Sequence, residues 1–400
     1  MSYILGTAMV VCEGIYSILV KLGATESIQV IGSDTTNTMS GTDGGVQHYI
    51  EIHLGRNLFR VLCNLHTNEL PFRHFFIHED GETSGKDSFK GPVGRACKMV
   101  KTFKLKETFP AVTDGDSVPI LPEEVIAQLS WDQKCLYKLL HAVRNGKSNT
   151  DIANMKLGGL NHSRWLTLAI RVLYLYMCVH KLGRRVAAKL KRLVHFIMTN
   201  YGPMWFTIKL KPFITDAPKH VFHQMQLLKL LPSDVRKIVK PYVSRNAYNA
   251  HPENLLIAML DDSDDAIREK AVNIIKDIRA TKQPPTRPVR AFSVPKLNYD
   301  ADNYHTMIDL ESETLTEPPL TYELTDDDLD LIKEEPLTLP PYRSHTQSVE
   351  RAVKLVSNAS GQVYGLESTR GYIKAQIASR KLYKKCDSKT ELIKMVQKCN

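Results

Sequence analysis

The sequence predicts an α/β fold in which a small sheet is interrupted by a large all-helical insertion. Three observations carry this expectation. A strand-like run, a helix-like run and a second strand-like run follow one another between residues 28 and 62. Helical periodicity then fills residues 122–281, and a proline-rich, acidic stretch separates that block from a late helix. With 400 residues, 43% of them apolar, the chain can bury one large core or two modest ones. The implied organisation is residues 1–120 as the first part of the sheet with a connection, and 121–282 as the helical insertion. Residues 283–343 form a Pro-rich acidic linker, and 344–400 a C-terminal helical part.

The elements follow from local pattern. Met9–Leu22 is a helix-like apolar run, and Ile28–Gly32 (IQVIG) is a brief β-type run that ends at Asp34 in SDTTN. Beyond the glycines of Gly41–Gly45, the apolar positions Val46, Ile50 and Leu54 recur at helical spacing, and Leu58–Leu62 (LFRVL) is strand-like again. Residues Phe76–Pro119 mix Gly, Pro and charge with weak periodicity and read as a long connection. The strings PEEVIAQL, WDQKCLYKLLHAV, RWLTLAIRVLYLYMCVHKL, RRVAAKLKRLVHFIMTNY and VFHQMQLLKLLP each carry helical spacing. ENLLIAMLDDSDDAIREKAVNIIKDIRA reads as a helical hairpin around an acidic turn, like one unit of a HEAT-type repeat; a solenoid needs about three such units. The prolines of QPPTRPV, EPPL and LPPY and the run DDDLDLIKEE mark a linker or wrapping loop with one short helix inside it. Gln347–Ser357 begins a further helix, followed by a basic tail.

A formal charge of +10 and a pI near 9.1 favour a polyanionic partner, because each Lys or Arg set against a phosphate releases a condensed counterion. Seven scattered cysteines are an odd number without a disulfide spacing, which fits a reducing, intracellular compartment. The opening segment lacks a basic n-region and its apolar run is broken by Glu13, so no export signal is read; no later stretch has the length of a membrane span.

Several residues could carry chemistry. Asp34 stands where a strand emerges into a Thr/Asn-rich turn, a position suited to a metal-binding carboxylate; Asp before Thr and Asn is equally ordinary turn chemistry. Cys63 and His66 form a CxxH, with His74 and His78 beyond, but the spacing lacks the loop of a structural zinc site, so a buried cysteine and a backbone-satisfied histidine compete with zinc. Arg164 and Trp165 open a helix that Asn161 or Ser163 could cap. The pair would suit a phosphate and a base, whereas packing of Trp165 with Ala169 and Val172 is the alternative. Glu350, between Val349 and Val353, is either a carboxylate beside a buried stripe or an Arg-paired surface residue.

Taken in order, IGSDTTNTMSG, CNLHTNELPFRHFF, the Arg-Trp opening of the helical block and HTQSVERAVKLV resemble the catalytic region of hAT-type DNA transposases, over roughly residues 28–380. The resemblance implies an RNase-H-like sheet with a helical insertion and three carboxylates holding two Mg²⁺ or Mn²⁺ ions. It matches Asp34 to the second acid and Glu350 to the last, and Cys63 and His66 to a Cys/His pair beside the active site, with no zinc implied. Arg164 and Trp165, with His66, are then expected on DNA, a homo-oligomer through the C-terminal region, and a nuclear location. The family's first acid lies well upstream of the second. Here Glu13 interrupts a helix-like stretch and Glu26 stands just ahead of the strand bearing Asp34, so the expectation is an N-terminally truncated, degenerate transposase unable to cut DNA unaided. The alternative is a transposon-derived module that binds nucleic acid or protein without catalysis.

Overall fold

The computed structural model describes residues 2–41, 44–83, 89–114, 118–160, 165–179, 182–281 and 292–345. The fold is mostly helical with a small parallel sheet. α1 (Ser2–Lys21) leads to β1 (Val30–Ser33), the single turn α2 (Asn37–Ser40), α3 (Val46–Leu54) and β2 (Phe59–Leu62). β1 and β2 pair in parallel, from Val30 opposite Phe59 to Ser33 opposite Leu62. α3 stops where Gly55 takes a left-handed conformation, φ 65°, which a side chain would disfavour. The connection is locked by Arg56, whose Nη2 donates to the carbonyls of Thr25, Glu26 and Ile28. Between α3 and β2 lies a fully buried ion pair, Glu51 with Arg60; the other Glu51 oxygen accepts from Leu58 N.

β2 runs directly into α4 (Asn64–Asp80). This helix falls partly inside the stretch read as a connection. Pro71 and the alternation of His and Arg mask its period, yet Phe72, Phe75 and Phe76, at i, i+3 and i+4, are all fully buried on one face. Asp80 ends α4 and accepts from the N–H groups of Val93 and Gly94, anchoring the short α5 (Pro92–Lys98). A two-residue strand β3 (Lys104–Leu105) pairs antiparallel with β4 (Cys178–Val179).

Between them come α6 (Glu123–Gln128), α7 (Trp131–Asn145), α8 (Thr150–Ala153) and α9 (Trp165–Met177). α7 starts at a capping box in which Ser130 and Gln133 satisfy each other's backbone N–H. α10 (Arg184–Phe196) passes through one π turn, Ile197–Tyr201, into α11 (Gly202–Leu210). α12 (Ala217–Lys229), α13 (Ser233–Ser244), α14 (Pro252–Leu260) and α15 (Asp265–Thr281) follow, the last two packed as a hairpin about Asp261–Asp264.

Two cores organise these elements. The larger joins α4, α5, α7, α9, α10, α11 and α13, so helical packing begins well upstream of residue 121. The second collects Phe59 and Val61 of β2, the inward faces of α12, α14 and α15, and a long stretch of residues 301–337. In the expected linker, Met307, Ile308, Leu329 and Ile332 are buried, the last two on α16 (Asp326–Glu334). The segment wraps the second core and returns to the sheet: Leu337 N donates to Leu260 O, and Tyr342 Oη bonds to Gln29 of the approach to β1. Among the described residues no helix is long and apolar enough to cross a membrane.

Candidate functional site at the strand ends

The carboxyl ends of parallel strands are where α/β sheets expose loops to ligands, and here they carry Asp34 and Cys63 side by side. Cys63 N donates to Ser33 O at 2.7 Å, extending the ladder one step beyond the strands. Asp34, half-buried, uses Oδ1 to accept from both Thr36 N (3.0 Å) and Thr36 Oγ1 (2.7 Å). The Thr36 carbonyl in turn accepts from Met39 N and Ser40 N, so the carboxylate organises the turn that opens α2. Asp34 therefore does the turn chemistry its neighbours advertise, with Oδ2 outside those bonds.

The other edge of β2 is closed by side chains. Asn249 Oδ1 accepts from Leu62 N at 2.8 Å, while its Nδ2 donates to Leu62 O and Asn64 Oδ1, each at 2.7 Å. Asn254 Nδ2 donates to Arg60 O. Two buried amides thus stand where a third strand would pair, and they satisfy a strand edge that burial would otherwise leave costly. Next to them the chain comes back: Ser344 O accepts from Asn64 N at 2.9 Å and Ser344 N donates to Pro212 O at 2.8 Å. Among the described residues His345, 3% exposed, has no hydrogen-bond partner at either ring nitrogen. Burial, then the Lys209 and Arg343 cations and neighbouring His220, hold its pKa down at about 3, so the ring is neutral.

The sequence candidates are distributed unevenly around this frame. Cys63 is buried at the start of α4 and His66 is half-buried on its first turn. Trp165 is only 5% exposed, packed edge-on against Phe72 and Phe76 at ring distances of 6.0 and 6.3 Å, in the same core as Ala169 and Val172. Its ring belongs to the helical core and offers no face to a base. The reason is that α9 is apolar nearly all round, so even its first residue is drawn inside. Arg164 and Glu350 lie outside the described residues. His74 and His78 sit further along α4: His74 stacks on Tyr242, and His78 faces solvent beside Glu79.

Among the described residues no group of three or more His, Cys, Asp and Glu side chains converges as a metal site. Asp34 is a single carboxylate there, whereas two-metal phosphodiester chemistry needs carboxylates that bridge and flank the ions. The described donor set does not fit a metal pair. The five described cysteines are buried and form no disulfide with one another; burial pushes the Cys135 thiol up to about 12 and Cys178 up to about 11, which keeps both protonated.

Sequence reasoning missed Asn249, Asn254 and Ser344 as the frame of β2, and the ring stack on α4. The only local signal for the amides is NAHPEN, where Pro252 opens α14 and sets both asparagines around one helix start. No family model matches the chain, no curated protein matches it, and no solved structure matches it.

Proposed function

We propose that this chain is a degenerate, hAT-like transposase that binds nucleic acid and does not cut it unaided. The observation that carries the reading is the meeting of two distant segments on β2. Ser33, one residue before Asp34, bonds to Cys63, and Ser344, six residues before Glu350, bonds to Asn64. Asp34 and the stretch leading to Glu350 thus flank the same strand end. That meeting supports reading the chain as a sheet built from its two ends with a helical insertion between them. The net charge of +10 supports a phosphate-bearing partner.

Loss of independent cleavage belongs to the same reading. Asp34 spends one oxygen on Thr36, and the described residues add no cluster around it. DNA is the proposed partner, a nuclear location and self-association through residues 344–400 belong to the same reading, and Mg²⁺ or Mn²⁺ enters only if cleavage survives. The test is incubation of labelled duplex DNA with the full chain, with and without Mn²⁺, beside Asp34→Ala. Salt-sensitive binding without metal-dependent products is expected from both proteins. Cleavage by the parent that disappears in Asp34→Ala refutes the inactive reading, and absence of DNA binding at low salt refutes the reading altogether.

A further inference from the structure

α4 and α13 lie side by side and antiparallel, as their cross-links show. Arg192 of α10 joins Glu79 near the end of α4 to Asp234 near the start of α13, whereas His74 in mid-α4 meets Tyr242 and Arg245 at the far end of α13. At that second junction the His74 and Tyr242 rings stack at 3.5 Å between centroids and 8° between planes. The Arg245 guanidinium lies 4.2 Å from the Tyr242 centroid, with Nη2 3.3 Å from His74 Nε2. Exposed Arg73 is the neighbour of His74 on α4 and reaches over the Trp165 ring at 5.9 Å. One turn back on α13, exposed Lys240 lies 4.1 Å from the Tyr299 centroid, and that tyrosine is fixed by Ser244.

The protein fixes its cations in more than one way, and Arg56 and Arg268 are held by backbone carbonyls. Arg60, Arg192, Lys276 and Arg279 are each held by a carboxylate. Among the described residues no carboxylate lies within ion-pair distance of Arg73, Arg245 or Lys240; aromatic rings hold them instead. His74 can accept from Arg245 only as a neutral ring. Burial, then Arg245 and Arg73, lower its pKa to about 4, so it is neutral at pH 7 and adds no charge of its own. Three exposed cations are thus held by rings along α4 and α13, and Arg73 and Arg245 both act on His74. A guanidinium held against rings has already lost part of the rotamer freedom that binding would cost, and its planar fork matches phosphate oxygens.

We propose that Arg73, Arg245 and Lys240, held by Trp165, Tyr242 and Tyr299, form a clamp for successive phosphates of a nucleic-acid backbone. The clamp rests on the nucleic-acid reading above and adds where the strand is held: on the α4–α13 surface, read for its backbone and not for its bases. An acidic protein segment is the competing occupant of such a surface.

The experiment is fluorescence anisotropy of a labelled 30-base-pair duplex with the full chain across a salt series. Each lost phosphate contact removes about 0.9 from the slope of log affinity against log salt. Arg73→Gln with Arg245→Gln is therefore expected to flatten the slope by about 2, and Lys240→Gln by about 1 more. Arg73→Lys with Arg245→Lys should keep most of the slope while weakening binding. All three sites are exposed, and the melting curve checks folding; if the double variant misfolds, Lys240→Gln alone decides. An unchanged slope in folded variants overturns the clamp and leaves DNA binding standing. Parent protein that binds polyglutamate but no DNA overturns both the clamp and the reading beneath it.

Discussion

Asn249 shows how one side chain can stand for a strand. Its amide gives Leu62 both the acceptor and the donor that a neighbouring backbone would supply, and it does so from 187 residues away. Asn249→Ala strands the Leu62 N–H in a site the asparagine itself leaves 1% exposed. At about 1–3 kcal/mol for each buried polar group left unmade, the substitution should cost about 3 kcal/mol, read as a lowered urea midpoint with unchanged slope. Asn249→Asp should be no rescue at neutral pH, since a carboxylate would face the Leu62 carbonyl and Asn64 Oδ1. A cost below about 1 kcal/mol for the alanine variant would mean that the amide is not what closes this edge. NAHPEN marks a helix start but not this role, because an asparagine there is locally a loop residue and its partners become visible only when the chain is folded.

At the scale of elements, α16 depends on a cation that is not part of it. Arg268 on α15 is 3% exposed; its guanidinium donates to the carbonyls of Ile332, Lys333 and Glu334 at the end of α16, and to Asp262 O. These are the carbonyls a helix C-terminus leaves without intrahelical partners, and positive charge is favoured there. Arg279 holds the other end through Glu317, Asp326 and the carbonyls of Thr321 and Leu324. Arg268→Ala should release the wrapping segment before the rest unfolds, giving early proteolytic cuts within 292–345 and a loss of about 3 kcal/mol from hydrogen bonds to a charged group. Uniform cleavage across the chain, or none, would contradict this. The elements themselves were legible to different degrees. The runs IQVIG and LFRVL announced β1 and β2, since short apolar runs bounded by turn residues have few other outcomes, and DDDLDLIKEE announced α16. α4 was hidden, because Pro71 and its charged residues obscured a spacing that the three phenylalanines kept. The arginines that tie α16 down were invisible, since their partners are backbone carbonyls and acids 38–66 residues later.

For the whole molecule, several segments distant in sequence meet through histidines that must stay neutral. His220, 3% exposed, places Nε2 2.6 Å from Lys211 O where α11 turns into α12, and burial holds its pKa down at about 4. His345 lies where residues 344–345 meet the start of α4 and the turn after α11, with its pKa at about 3. Against an ordinary value of 6.5, both bind a proton more readily when unfolded than when folded. A depressed folded value means that the stability is fully present above pH 6.5 and is lost as pH falls through the window from 6.5 towards about 4 and 3. Each such site adds up to about 1.4 kcal/mol of lost stability per pH unit inside its window. Asp80 and Asp216 act in the opposite sense, since burial raises their carboxyls and protonation then favours the folded state, but from an ordinary carboxylate value of 3.8 upward. The expected result is a melting temperature that is flat above pH 7 and falls steadily from pH 6.5 to pH 5. His345→Gln, which cannot take a proton, should lower stability at pH 7.5 only as far as its packing requires and should flatten the acid limb. A His345→Gln profile parallel to the parent's would show that the junction between the returning chain and α4 does not depend on a neutral imidazole.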